Sequence, residues 1–361
     1  MKKQWLGWCI AWSTLLIGHM PFAADPVTVD PLEVPSLTST LANSTQLVGI
    51  AHAGQRLVAV GWRGHILYSD DQGISWQQAR VPVGVDLTAV NFPSPQHGWA
   101  VGHSGVILHS EDGGQNWVKQ QDGFSTGRSM ASYYQQRLAQ ANEDTKSIYQ
   151  GLLDQTQLNY GTGPEQPWLD VWFENDRIGY VVGAFNLIMR TDDSGVNWTP
   201  ILEQVDNPDS LHLGAISQIA GDLYIASERG TVFRREGERF VPSNTGYRGT
   251  FFGVVGNDNV VLAYGLRGTV YRSLDKGHSW EKVDTGISNA LTGSAVLADG
   301  RIALVSQGGQ MLVADPSGKQ FVPVTISRST PLAGVEVLDA GHVALIGSNG
   351  VQVEPLPASG S

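Results

Sequence analysis

The stretch Gly61-Trp-Arg-Gly64-His-Ile-Leu-Tyr-Ser69-Asp-Asp71-Gln-Gly73-Ile-Ser-Trp76 recurs at Gly102 to Trp117, Gly183 to Trp198 and Gly265 to Trp280. All four copies fit Gly-x-x-[Gly/Asn]-x-[Ile/Val]-x-x-[Ser/Thr]-x-Asp-x-Gly-x-x-Trp without a gap. Self-similarity at a regular interval marks a repeat architecture. Weaker copies fill the intervals. Ser227-Glu-Arg-Gly230 leads to Phe240 in the Trp position, Ser306-Gln-Gly-Gly309 leads to Phe321, and Gly347-Ser-Asn-Gly350 ends the series. Each copy follows an apolar, β-rich segment, beginning at Leu47, Leu87, Leu169, Leu213, Phe252, Leu291 and Leu332. That makes seven units of about 38 residues once an insert at 124–166 is set aside.

Each unit reads as four short strands separated by turn residues. Four-stranded units of this length build the blades of a β-propeller, so the expected fold is all-β, a seven-bladed propeller spanning 47–353. The last unit stops after three strands near Val353. The extended segment at 25–46, in particular 32–46, is therefore expected to supply a ring-closing strand and remove an exposed edge. Residues 354–361 form a tail. The Asp-x-Gly-x-x-Trp element reads as a fastener. Glycines such as Gly73 take the positive-φ position of the turn between strands three and four. Asp71, Asp112, Asp193 and Asp275 cap the turn's amides, and Trp76, Trp117, Trp198 and Trp280 bury against the neighbouring blade. The pairs Asp70-Asp71 and Asp192-Asp193 lack the spacing and terminal Glu of a calcium loop.

The 361 residues include 43 Gly, about 12% against an average near 7%, in keeping with many tight turns. Hydrophobic residues make up 41% and charged residues 16%, which excludes a largely disordered chain. A formal charge of −11 without a Lys/Arg run excludes the footprint of non-specific nucleic-acid binding. The single cysteine cannot pair within the chain. Lys2 and Lys3, the apolar run Trp5 to Ile17 and Ala23-Ala24 read as a secretory signal peptide over 1–24. A membrane anchor is the rival reading, for which the run is short. Cleavage removes both lysines and the cysteine and brings the charge from −11 to −13. A cysteine-free mature chain suits an oxidising compartment, and the expected location is a bacterial periplasm.

The insert is foreign to a propeller. Met130, Tyr134, Leu138, Ala141, Thr145, Ile148 and Leu152 recur at helical spacing. Ser125 or Thr126 is a candidate cap, and Asn142-Glu143-Asp144 is the place where one long helix would break into a hairpin. The stripe either packs flat on the propeller or receives a partner through Tyr134, Leu138, Ile148 and Leu152.

In repeat pattern the chain resembles the BNR/Asp-box proteins and, more closely, the Ycf48/Hcf136 group of photosystem II assembly and stability factors and their bacterial relatives, over about 45–355 outside the insert. A further similarity is Arg-Gly in the turn before the third strand, at Arg63-Gly64, Arg229-Gly230 and Arg267-Gly268. The resemblance implies a basic patch at Arg63, Arg229 and Arg267 that contacts a membrane-protein partner. Ser104, Phe185, Gly308 and Asn349 stand at the other four turns, so the patch is partial. These turns share a face with the connections between blades, which places the arginines and the insert on one rim opposite the Asp-box turns. Loops on a rigid scaffold are where function concentrates.

An enzyme has less support. Gly123-Phe-Ser125-Thr-Gly127 matches a nucleophile elbow but lacks the parallel sheet it needs. No sialidase Phe-Arg-Ile-Pro signature, zinc motif or P-loop is present. Asp86, Asp170, Glu228 and Glu336 lie near blade tops and keep glycoside chemistry open. The reading is a non-enzymatic, cofactor-free and metal-free binding platform or assembly factor for a membrane-protein complex, acting on photosystem II in a photosynthetic source and on an envelope complex or transporter otherwise. The alternative is a carbohydrate-binding or sialidase-like glycoside hydrolase propeller.

Overall fold

A computed structural model describes residues 29–357, so the signal-peptide reading of 1–24 lies outside the described residues. Seven antiparallel sheets follow one another along the chain, six of four strands and one of three. They are blade 1 (47–78), blade 2 (87–121), blade 3 (168–200), blade 4 (213–244), blade 5 (251–283), blade 6 (291–324) and blade 7 (332–355). First strands of successive blades lie side by side, and that of blade 7 meets that of blade 1, which closes the ring. The expected seven-bladed propeller with a helical insert is the observed fold.

The first strands explain why the ring has a channel. In all seven the register slips by one residue near the start, at Val48, Thr88, Leu169, Gly214, Phe252, Thr292 and Ala333. A β-bulge re-aims the extra residue, and these seven line a central cavity of about 260 Å³. The residue before each bulge points into the blade: Leu47, Leu87, Trp168, Leu213, Phe251, Leu291 and Leu332 are at most 3% exposed. The units of blades 3 and 5 thus anchor on Trp168 and Phe251. Leu169 and Phe252, the segment starts expected from sequence, are the channel-facing bulge residues.

The glycine spacing has a steric origin. A Cβ on Gly61 would lie 2.1 Å from the Gln46 carbonyl oxygen, and one on Gly102 would lie 2.3 Å from that of Asp86. The first glycine of each motif thus admits the chain entering its own blade. In the first Asp-box turn the serine, the aspartate and the tryptophan each hold backbone. Ser69 Oγ accepts from Gly73 N at 2.9 Å, and Asp71 Oδ1 accepts from Ser75 N at 2.8 Å. Trp76 Nε1 donates to the Gly73 carbonyl at 3.1 Å. The residue before each glycine, Gln72, Gly113, Ser194 or Lys276, also has positive φ, so each turn holds two consecutive left-handed residues.

Among the described residues no ring-closing strand forms. No residue of 29–46 is in a strand, and the seventh sheet keeps three strands. The segment turns at 31–34 and runs along the outer edge of blade 1, where Ser36 N donates to the Val81 carbonyl and Gly84 N to that of Pro31. Two prolines, Pro31 and Pro35, remove ladder donors from it. Side-chain packing closes the seam instead: Leu47, Ala59 and Leu67 of blade 1 cluster with Ile346 of blade 7 and with Ala42.

The insert is a hairpin of two helices, α1 (Gly123–Ala139) and α2 (Glu143–Tyr160), broken where the sequence suggested. Asp122 caps α1, one turn earlier than expected, because its carboxylate reaches Ser125 N at 2.9 Å while Ser125 Oγ accepts from Asp122 N, a reciprocal capping box. Asn142 caps α2 through Thr145 N. No helix among the described residues is long and apolar enough to cross a membrane.

Candidate functional site

Five of the seven turns between second and third strands place a non-glycine residue in the left-handed region, at Arg63, Ser104, Phe185, Arg229 and Arg267, with φ between 53° and 60°. Four of these are followed by a glycine of positive φ, and Asn186 takes that place in blade 3. The glycine is needed twice over. Beyond its φ of 70°, a Cβ on Gly64 would lie 2.1 Å from the Val83 carbonyl oxygen, and on Gly230 or Gly268 it would strike the Tyr247 or Ile287 carbonyl at 2.1 and 2.2 Å. The connection to the next blade thus crosses directly over each turn. Arg63, Arg229 and Arg267 are squeezed outward and exposed. Exposed apolar neighbours flank two of them: Trp62 beside Arg63 and Leu266 beside Arg267 are 49% and 37% exposed.

The arginines share a rim but not one spot. Arg63 belongs to blade 1, three blades from those carrying Arg229 and Arg267. The adjacent pair is joined by Arg248, an exposed residue in the connection between blades 4 and 5 that the repeat pattern did not single out. Connections vary between units, so only the fold shows that this one crosses beside Gly230. Arg229 forms an exposed ion pair with Asp209 at 2.8 Å. Arg267 and Lys282 line a recess of about 440 Å³. Arg63 edges a larger groove of about 970 Å³, floored by Trp62 and by Pro31, Pro35, Leu37 and Leu41 of the N-terminal segment.

The insert lies on the same rim. Helix α1 packs on the blade 2 turn at 103–105, and Gln155 of α2 donates to the carbonyl of Phe185 in the blade 3 turn at 2.9 Å. Its stripe faces inward, which corrects most of the expected partner face. Tyr134 is fully buried and donates to Glu203 Oε2 at 3.1 Å, and Leu138 and Leu152 pack against the core shared by blades 2 to 4. The insert joins blades 2 and 3 along the chain, and its stripe covers apolar surface of the core that blades 2 to 4 share. Of the four, Ile148 alone is exposed, at 51%. Phe124 and Leu158 are also exposed on the hairpin.

The carboxylates near blade tops hold backbone. Asp86 accepts from Arg63 N at 2.7 Å, Glu228 from His212 N at 2.9 Å and Glu336 from Val337 N at 3.1 Å. Asp170 accepts from Ile216 N and Val171 N at 2.8 Å and faces the channel. Burial pushes its carboxyl up to about 7 against those two amides. Burial also raises Glu336, against the pull of His52, whose Nε2 is 4.0 Å away. Ser125, the elbow candidate, spends its hydroxyl on the α1 cap.

Residues 71–144 match the model of the photosynthesis system II assembly factor YCF48 family. They run from the first Asp-box through blade 2 into the insert. No curated protein matches the chain by sequence. Among solved structures, "YCF48 bound to D1 peptide" superposes with a TM-score of 0.62 at 15% identity, covering 90% of this chain and all of that one. YCF48 from Cyanidioschyzon merolae gives 0.60 at 16%, covering 88% and 97%. The WD40 propeller domain of Doa1 gives 0.60 at 10%, covering 88% and 96%. Likeness in shape at these identities therefore speaks for the propeller alone, and the family resemblance read from the repeats is borne out by the match over 71–144.

Proposed function

We propose that the chain is a non-enzymatic binding platform, an assembly or stability factor that holds a membrane-protein complex against its arginine rim. The observation that carries this reading is the placement of Arg63, Arg229 and Arg267 in left-handed turns, beside exposed Trp62 and Leu266. The left-handed turn, which Ser104 and Phe185 share, turns its residue outward, so the arginines stand exposed on the rim. Guanidinium groups mixed with exposed apolar side chains are the composition of protein-interface anchors. The neighbour bound to a D1 peptide gives a precedent for a propeller of this shape gripping a peptide. In a photosynthetic source the partner is a photosystem II subunit. In another bacterium it is an envelope complex or transporter, met in the periplasm after removal of the leader.

The test is capture from detergent-solubilised membranes by the native chain and by the triple variant Arg63→Glu, Arg229→Glu, Arg267→Glu. The native chain retains a membrane-protein complex and the variant loses it at an unchanged melting temperature. Equal capture by both would remove the rim as the binding site.

A further inference from the structure

Blade 2 gathers three metal-ligand side chains on the face opposite the arginine rim. His97 closes the turn between its first two strands, His109 stands on its third strand, and Glu111 follows in the Asp-box loop. One ligand atom from each lies within 4.8 Å of the other two. His97 Nδ1 and His109 Nε2 are 3.5 Å apart. Two nitrogens each bound at about 2.0–2.1 Å to a tetrahedral ion sit about 3.3–3.4 Å from one another, so the two rings already stand near a shared-ligand separation.

The cluster is a built site. His109 is 6% exposed and its ring lies on Trp99, 4.4 Å away at 16°, while the His97 ring stands 5.6 Å away at 18°. Trp99 in turn lies on Phe173 of blade 3 at 3.6 Å. A second observation points to a missing ligand. Asp176, in the neighbouring loop of blade 3, has a buried Oδ1 with no hydrogen-bond partner among the described residues. A buried carboxylate oxygen left in that state is costly unless something cationic satisfies it.

We propose that His97, His109 and Glu111 form a site for a divalent transition-metal ion of the Zn²⁺ or Cu²⁺ class, with Asp176 as the outer carboxylate. Two imidazoles with a carboxylate suit these ions and not Mg²⁺ or Ca²⁺, which take oxygen sets. The exposure of Glu111 leaves the site open to solvent. This inference stands on residues that the proposed binding rim does not use. A bound ion would tie the His97 turn to the Asp-box loop of the same blade.

The test uses the full chain freed of metal by chelator. Calorimetric titration with ZnCl₂ should show a saturable site that weakens about tenfold or more in His97→Ala and in Glu111→Gln. With one equivalent of Cu²⁺, electron paramagnetic resonance should show coupling to two imidazole nitrogens in the native chain and to one in His97→Ala. His97 is used because His109 is stacked in the core and its loss could disturb the blade. Matching metal-free melting temperatures verify that His97→Ala is folded. Absence of saturable Zn²⁺ binding, or the same affinity and two-nitrogen spectrum in His97→Ala, would overturn the assignment.

Discussion

At the scale of single residues, the Asp-box carboxylates show how a surface group becomes structural. Burial tends to raise Asp275, but hydrogen bonds from the Ser279 hydroxyl and amide, from Ser273 and from His278 N outweigh it and bring the carboxyl down to about 2. A group with a depressed folded value stabilises when ionised. Its contribution is complete above the ordinary value of 3.8 and is lost as pH falls through about 2. Asp275→Asn should therefore destabilise the chain by about 1 kcal/mol at neutral pH, the size of a lost cap at a largely solvated site. The difference from the native chain should shrink between pH 4 and pH 2, read from urea midpoints across that range. A difference independent of pH would mean that the carboxylate charge plays no part. The repeat pattern disclosed these aspartates because each must sit at a fixed offset from its glycine. It did not disclose Asp315 of blade 6, which stands one residue earlier relative to Gly318 and still accepts from the amides of Ser317, Lys319 and Gln320.

At the scale of elements, the insert shows where periodicity stops being informative. The stripe from Met130 to Leu152 announced helix and left one helix or a hairpin open, with Asn142-Glu143-Asp144 as the place of a break. Neither could say which way the stripe faced, because an apolar stripe reads the same whether it meets the protein's own core or a partner. Packing decided it: Tyr134, Met130, Tyr149 and Leu153 join the core of blades 2 to 4. Tyr134→Ala should cost about 3–5 kcal/mol, as for other large buried aromatics. Ile148→Ala should stay within about 0.5 kcal/mol. Chemical denaturation of the two variants checks the orientation, and similar losses at both positions would contradict it. The same packing makes wholesale deletion of the hairpin a poor probe of binding, since it uncovers the core that Met130 and Tyr134 join.

For the whole molecule, the ring is closed without a shared strand among the described residues. Blade 7 carries three strands and ends on Gly350–Pro355, and it meets blade 1 through side chains and one His52 Nε2 contact to the Val337 carbonyl at 2.6 Å. Blades 2 to 4, by contrast, share one continuous core with the helical hairpin. In a repeat architecture each unit is stabilised mainly by its neighbours, so the weakest interface opens first. Backbone amides of blade 7 should exchange with deuterium faster than those of the inner strands of blades 3 and 4. Uniform protection around the ring would show that the seam is as firm as the other interfaces.

The sequence by itself determined the number of blades, the place of each tight turn and the rim on which arginines and insert meet. Those features depend on contacts between residues a few positions apart, where a left-handed turn or a backbone crossing admits only glycine or a capping aspartate. The tertiary structure alone decided the course of the N-terminal segment, the inward face of the hairpin, the company of Arg248 and the approach of His97 to His109. Each of these is a contact between segments distant in the chain, chosen by which apolar and polar surfaces the closed ring leaves to be covered, and no local pattern encodes that choice.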